Sequence, residues 1–459
     1  MWKSRCSGYL RRNSYLQKKV ENDNKQLFQY QGKKNFTKFF DKSVIDRKGR
    51  SSGFIQRKPQ KITAYHFVIG FILSCLKKQN TYQEWSTQIG LLSGKSVSRQ
   101  AVFDRIGKST VEFCRQLLEH AIKRSVVVEE RASALFHCFG KVLLHDSTTL
   151  KLPQSLSEAF PGNHSRGEQK AVARIQSIIN IKEMNFEQLS LGSFTQNDQS
   201  ASSEILPYCS KGDLVIRDLG YYALSAFAAM IDKGVHFVSR LKYGVKLYDL
   251  KGNEIVLASL LKRKGRLDRW VYIGADKKVK VRLVMIPLPA GQAAEKRRKA
   301  RQDRDRRVNH SKAYYQWLGY TVLITTVEQS IWSYRDVARA YKVRWHIEII
   351  FKSWKSGFHL QALLHERCGN EDRAKTCIYL LLLFICLFMQ KIYLPYQQSI
   401  EKRFGKTISL LKLARFVAAN VLEMFYISMV RLKELIVQHC CYDIRHDRTN
   451  MTDLFFNKN

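Results

Sequence analysis

Twenty consecutive residues, YKVRWHIEIIFKSWKSGFHL from Tyr341 to Leu360, restrict what this chain can fold into more than any other stretch. At about 100° per residue, a helix puts Val343, Ile347, Ile350 and Trp354 on one side. Tyr341, Arg344, Glu348, Lys352 and Lys355 fall on the other. Such a helix buries its apolar side against a core and offers one carboxylate flanked by cations. Read alone, it is an amphipathic surface helix with i,i+4 ion pairs. A lone glutamate among arginine and lysine also suits a metal ligand seated between phosphate-binding cations. The pattern predicts one long helix that begins at Ser333 and runs through the whole stretch.

A carboxylate that holds a divalent ion needs acidic company, because Mg²⁺ takes carboxylate oxygens and keeps several waters. Two aspartates qualify. Asp146 follows the apolar run VLLH, and Asp218 follows LVI, each at the predicted end of a strand. Strand ends in a mixed α/β sheet are where sites gather. Taken singly, Asp146 before Ser-Thr-Thr reads as well as a turn or helix cap, and Asp218 before Leu-Gly as an ordinary turn.

Charge narrows the partner. The 459 residues carry 78 Lys and Arg against 39 Asp and Glu, a formal net charge of +39. That excess opposes compaction unless a polyanion neutralises it, so nucleic acid is the expected partner. A basic membrane-binding or ribosome-associated protein is the competing reading. Hydrophobic content of 45% and aromatic content of 12% argue for a folded chain. The ten cysteines include no CxxC pair, and Cys440 and Cys441 beside His439 lack a second ligand pair at zinc spacing. All ten therefore read as reduced thiols, as in a cytosolic protein. The N-terminus is basic without a following apolar run, so it is not a secretory signal. The most apolar run, Thr376 to Met389, is shorter than the roughly 20 residues of a bilayer span and reads as a buried helix.

Along the chain, residues 1–128 read as a helical DNA-binding region. An apolar helix is expected from Ile62 to Lys77. Thr81 caps a helix through Leu92, SGKS makes a turn, and a second helix starts at Val97, the layout of a helix-turn-helix. Ser98, Arg99 and Gln100 would then open the recognition helix and contact DNA, although any helical hairpin has the same outline. Residues 129–244 alternate β-like runs (KVLLHDSTTLKL, ARIQSIINI, FEQLSLGSFT) with DLVIRDLGYYALSAFAAMI, a strand, turn and helix. Residues 245–326 add short strands as a β-rich insertion, then the charged tract Glu295 to Lys312, helical in propensity, and a strand from Trp317. Residues 327–372 contain the glutamate helix, and 373–459 read as helical, with dimerisation as their suggested role.

Taken together, these residues resemble a known family. Tyr341, Arg344, Glu348 and Lys355 match Y-x2-R-x3-E-x6-K without a gap, the signature of the DDE transposases of the insertion-sequence-four group. HDSTTLKLP resembles that family's first Asp motif, and RDLGYYAL its second. Asp146 and Asp218 are 72 residues apart and Asp218 and Glu348 are 130 apart; the longer interval fits the β-rich insertion the family carries before its Glu. The resemblance implies an α/β fold with an RNase H-like catalytic core, interrupted by that insertion and flanked by helical N- and C-terminal regions. It implies that Asp146, Asp218 and Glu348 are catalytic and hold two Mg²⁺ ions, with Mn²⁺ able to substitute. Such paired ions sit about 3.5–4 Å apart and clamp the attacking and leaving oxygens of an in-line displacement. Tyr341, Arg344 and Lys355 would bind phosphates, with Lys352 on the same face outside the signature. Trp317 stands where relatives place a Trp that stacks on a flipped base, and reads equally as a core aromatic at a strand start. His145 and His346 read as structural neighbours of the site. The implied function is a bacterial cut-and-paste transposase. It would act on DNA in the nucleoid-associated cytoplasm, with no membrane partner and as a homodimer in the synaptic complex. An RNase H-like DNA nuclease without strand transfer, and an inactive DNA-binding regulator, remain as alternatives.

Overall fold

The computed structural model describes residues 39–124, 134–165, 167–262, 265–275, 279–302 and 311–442. The basic N-terminal stretch through residue 38, the middle of the charged tract at 303–310, and the tail from residue 443 lie outside these. The described chain forms two compact units: residues 134–349 around a sheet, and residues 39–124 with 350–442, which are helical. The segment read as 327–372 is thus divided, its first part belonging with the sheet and the part from Ile350 with the helices.

Among the described residues the sheet has eleven strands. They are β1 (Val142–Lys151), β2 (Pro161–Ser165), β3 (Glu168–Asn180), β4 (Asn185–Ser193), β5 (Leu214–Arg217), β6 (His236–Arg240), β7 (Leu247–Tyr248), β8 (Glu254–Ile255), β9 (Leu267–Ile273), β10 (Val279–Pro287) and β11 (Tyr320–Thr325). β4, β3 and β1 form an antiparallel meander. β5 then pairs parallel to β1, and β6 parallel to β5. This order, β4-β3-β1-β5-β6, is the RNase H-like arrangement. The four residues of β5, LVIR, are all buried, as a parallel strand covered on both faces requires. The β-rich insertion continues the same sheet: β6 pairs with β11, which leads on through β10 and β9 to β7 and β8. Val215, Phe227, Phe237, Val271, Leu283 and Ile324 lie in one continuous core beneath it.

Two sequence expectations change here, and a third holds. β1 does not end at Asp146; it runs on to Lys151, because the antiparallel ladder with β3 continues after the parallel ladder with β5 stops at His145 opposite Arg217. Trp317 does not start a strand but closes the Lys312–Trp317 helix, two residues before β11. The charged tract is helical over Ala290–Arg301 as far as it is described.

The predicted single helix from Ser333 is also interrupted. Helices span Tyr334–Lys342 and Trp345–Lys352, followed by a wide π turn at Ser353–Gly357. Across the first break the amides of Val343, Arg344, His346 and Ile347 bond three residues back rather than four, a locally tightened turn. The apolar stripe survives, with Val343, Ile347, Ile350 and Trp354 all buried. The polar partners of Tyr341 and Arg344, described below, fix the side chains on either side of that turn.

In the helical unit, Ala64–Leu76 starts two residues later than expected, because the Thr63 hydroxyl caps it by accepting from His66 N–H. Thr81 caps Tyr82–Ser93, and Gly94 closes it with φ +67°, a left-handed terminus that glycine adopts freely. The second helix of the expected pair starts at Arg99 rather than Val97, with Ser98 as its cap, and has five residues, to Phe103. The Lys108–Lys123 and Ala64–Leu76 helices pack against Glu371–Phe388. That last helix continues through a π turn to Phe404, and the 34 residues are long and apolar enough to cross a membrane. Length alone therefore does not separate it from a membrane span; 83% of its most apolar 18 residues are buried within the protein, as in a core helix. The carboxyl-terminal region is helical to Cys440, with one β-bridge between Ile408 and Cys441. The nine cysteines of the described residues are free thiols.

Candidate active site

The ladder registers bring the two aspartates together. His145 lies opposite Arg217 at the last parallel rung, so Asp146 and Asp218 are the next residue on each strand. Asp218 leaves β5 into a short 3-10 turn, Leu219–Tyr221. The glutamate arrives from the other side on the Trp345–Lys352 helix. Arg344 joins all three. Its Nη1 donates to Asp146 Oδ2 at 3.3 Å, its Nη2 to Glu348 Oε1 at 2.5 Å, and its Nε faces Asp218 Oδ1 at 4.0 Å. A guanidinium is only a few ångströms across, so three acids distant in sequence converge on one side chain. Tyr341 donates its hydroxyl to Asp218 Oδ1 at 2.9 Å. Tyr341 and Arg344 retain only 7% and 8% exposure. The Arg240 guanidinium lies 5.5 Å from the centroid of the Tyr341 ring.

Burial decides the protonation of this group. It raises the Asp146 pKa to about 6, against the opposing Ser147 N–H and Arg344 and with help from the charges of Asp218 and Asp198. Burial pushes Asp218 the same way, but Arg344, the Leu219 N–H, Tyr341 and Arg240 outweigh it and leave its pKa lowered. Two neighbouring carboxyls thus have pKa values moved apart, the pattern of sites where charge is put to use. Burial lowers Arg344, while Asp218, Tyr341, Glu348 and Asp146 more than restore it, so its pKa is raised.

A stability test follows from Asp146. Its folded pKa lies above the ordinary 3.8, so above pH 6 the folded state carries a penalty for ionising it, and below about pH 4 both states hold the proton. In buffer without divalent ions, Asp146→Asn should therefore be more stable than the parent at pH 7.5. The gain should be roughly 1–3 kcal/mol, bounded by the gap between 3.8 and about 6, and should vanish toward pH 4. Urea unfolding at several pH values measures it. A variant less stable at pH 7.5 would mean that the Arg344 ion pair outweighs burial.

The donor set suits a divalent cation. Three carboxylates supply hard oxygens and face one buried guanidinium, whose Nε has no hydrogen-bond partner. Among the described residues no three acidic, histidine or cysteine side chains already stand at metal-binding distances; the three carboxylates face Arg344 instead.

Other expected site residues lie elsewhere. Trp317 is buried in the core of the sheet unit, edge-on to Tyr243, which favours its reading as a core aromatic. Lys352 is exposed and Lys355 half-buried, its pKa lowered by that burial; both belong to the helical unit, as do Ser98, Arg99 and Gln100. Ser98 spends its hydroxyl on capping, while Arg99 and Gln100 are exposed. His145 is buried against the Tyr221 ring and its pKa is depressed by burial and Arg217, so it stays neutral.

Sequence reasoning passed over Asp198. It accepts from Arg174 Nη1 at 2.6 Å and Ser147 Oγ at 2.7 Å, directly behind Asp146, whose Oδ1 accepts from Ser147 N–H. No motif marks the stretch TQNDQSASSE; only the folding of β3 and β4 beside β1 carries Asp198 there.

An RNase H-like sheet with acids side by side on adjacent strands, where their parallel ladder stops, and a third on a facing helix defines the class of metal-dependent enzymes that act on nucleic-acid phosphodiesters. Residues 137–388, more than half of the chain, match the transposase DDE domain family, and the chain belongs to that family. It is similar to the transposase for insertion sequence element IS231D of Bacillus thuringiensis subsp. finitimus, 25% identical over 81% of this chain and 82% of the relative. It is also similar to that for IS231B of Bacillus thuringiensis subsp. berliner, 24% identical over 90% and 92%, and to that for IS1151 of Clostridium perfringens, 24% over 71% and 74%. A piggyBac transposase synaptic complex with hairpin DNA matches 92% of this chain and 88% of its own at 11% identity, with a TM-score of 0.44.

Proposed function

We propose that this protein is a cut-and-paste DNA transposase. It binds the ends of a bacterial insertion element, hydrolyses the DNA there and joins the freed 3′-OH ends to target DNA. The observation that carries the reading is the convergence of Asp146, Asp218 and Glu348 on Arg344. Asp146, Asp218 and Glu348 are the catalytic carboxylates and the ligands for divalent ions, Mg²⁺ with Mn²⁺ able to substitute. When bound, such ions supply Lewis-acid polarisation of the phosphate and a nucleophilic oxygen at neutral pH. Around them Tyr341 orients the Asp218 carboxylate through its hydroxyl. Arg344 is the phosphate-binding cation, since its planar fork suits two oxygens at once. Lys352 and Lys355 add positive charge for the DNA backbone, as does Arg99 at the helix pair, where Gln100 offers a neutral amide for hydrogen bonding to DNA. A homodimer in the cytoplasm pairs the two ends.

The test is purified protein with Mg²⁺ and DNA carrying the element's own terminal repeats. Joined products are expected. Cleavage without joining would identify a nuclease, and a gel shift without cleavage a DNA-binding regulator.

A further inference from the structure

The helical unit holds a cavity of about 440 Å³ that the catalytic cluster does not explain. Arg99, Arg367 and Arg373 line it, with Tyr82, Phe103 and His365. Its size lies in the range of small-ligand sites. The charge is one-sided: no acidic side chain is among the lining residues, and no carboxylate pairs with Arg99 or Arg367 among the described residues. The rings are ordered. The Arg373 guanidinium lies 4.0 Å from the Tyr82 ring centroid, and Tyr82 meets Phe103 edge-on at 5.4 Å. Phe103 remains 48% exposed. Arg373 is anchored by donating to the Asn80 carbonyl at 3.1 Å, while its Nε is buried without a partner.

Cations fit phosphate and an open aromatic face fits a planar ring, so the shared chemistry is a nucleotide. A duplex cannot supply it, because its bases are stacked inward and leave Phe103 nothing to cover. We propose that this cavity holds an unpaired nucleotide of a DNA strand, its base against Phe103 and Tyr82 and its phosphates on Arg99 and Arg367. The proposal rests on the reading that the protein acts on DNA.

The experiment is fluorescence anisotropy of the full-length protein with a labelled oligothymidine and, separately, with a short duplex of unrelated sequence. Stacking on one aromatic is worth about 1–3 kcal/mol, so Phe103→Ala should weaken single-strand binding roughly 5- to 150-fold and leave duplex binding within about twofold. Arg367→Ala should lower the salt dependence of single-strand binding by about 0.7 in log–log slope, one phosphate contact. Single-strand binding unchanged in both variants, with the duplex bound normally, would overturn the cavity proposal alone. Equal losses for both DNAs would overturn it too, since the surface would then be a general backbone contact. So would displacement of the oligonucleotide by an equal concentration of thymidine 5′-monophosphate, which would assign the cavity to free nucleotides. A parent protein that binds neither DNA would sink the DNA reading together with the proposal.

Discussion

Asp146→Ala is expected to bind element ends with parental affinity and to cut them at least about 100-fold more slowly, the scale of losing one preorganised electrostatic group. The reason is positional. Asp146 lies one residue past the last rung shared by β1 and β5, beside Asp218 and within reach of Arg344. No neighbouring acid can replace it: Asp198, the next carboxylate, is tied to Arg174 and Ser147. Removing a half-buried carboxylate leaves the DNA-contacting surface as it was, so binding measured by gel shift should hold while cleavage falls. Cutting at the parental rate would remove Asp146 from the reaction. Loss of binding in step with cutting would show instead that the alanine disturbs the fold.

The second large effect is on stability. Arg282 on β10 is fully buried and donates to both oxygens of Asp268 on β9, at 2.7 and 2.8 Å. It also donates to the carbonyls of Val327 and Trp332, at 3.1 and 2.8 Å. One side chain therefore ties the insertion to the segment that leads into the Tyr334–Lys342 helix. Arg282→Ala takes a donor from two carbonyls and leaves Asp268 with Gln329, at 3.1 Å, as its remaining side-chain donor. Breaking a buried pair costs about 3–5 kcal/mol; Asp268 keeps 18% of its side-chain surface exposed, which places the loss near 3 kcal/mol. Hydrogen exchange of the β10 and β11 amides should accelerate by roughly a hundredfold, as local stability of that size predicts. Pairing Arg282→Met with Asp268→Leu should recover much of the protection, because both charges are then gone. A change below about threefold in Arg282→Ala would mean the sheet does not depend on this pair.

Much of this was readable in advance, for reasons that differ by element. The strands of the core announced themselves by alternation or by buried runs such as LVIR. Thr81 and Gly94 marked their helix by capping chemistry that acts within a few residues. The apolar stripe of Val343, Ile347, Ile350 and Trp354 was legible because burial follows helical period even across a break. What stayed hidden depended on contacts distant in sequence. The tightened turn at Val343 and Arg344 contains no proline or glycine to mark it; the contacts of Tyr341 with Asp218 and of Arg344 with Asp146 join it to residues far away in sequence. Asp198 has no local pattern and is delivered by sheet pairing. The cavity of Arg99, Phe103 and Arg367 joins stretches more than 260 positions apart, beyond the reach of any periodicity.

One feature of chain order governs how the protein can be made. The Lys108–Lys123 helix finds its main packing partner in Glu371–Phe388, which also packs against Ala64–Leu76, and the ribosome delivers that partner only after the entire sheet unit. The Lys108–Lys123 helix must wait with its apolar face largely uncovered, while Ala64–Leu76 already has Tyr82–Ser93 to pack on; closing so long a loop carries an entropic penalty that the intervening unit reduces only by folding first. Birth order thus runs from the middle outward: the part that carries the acids can mature on the ribosome, while the part that carries the arginine-lined cavity is completed last.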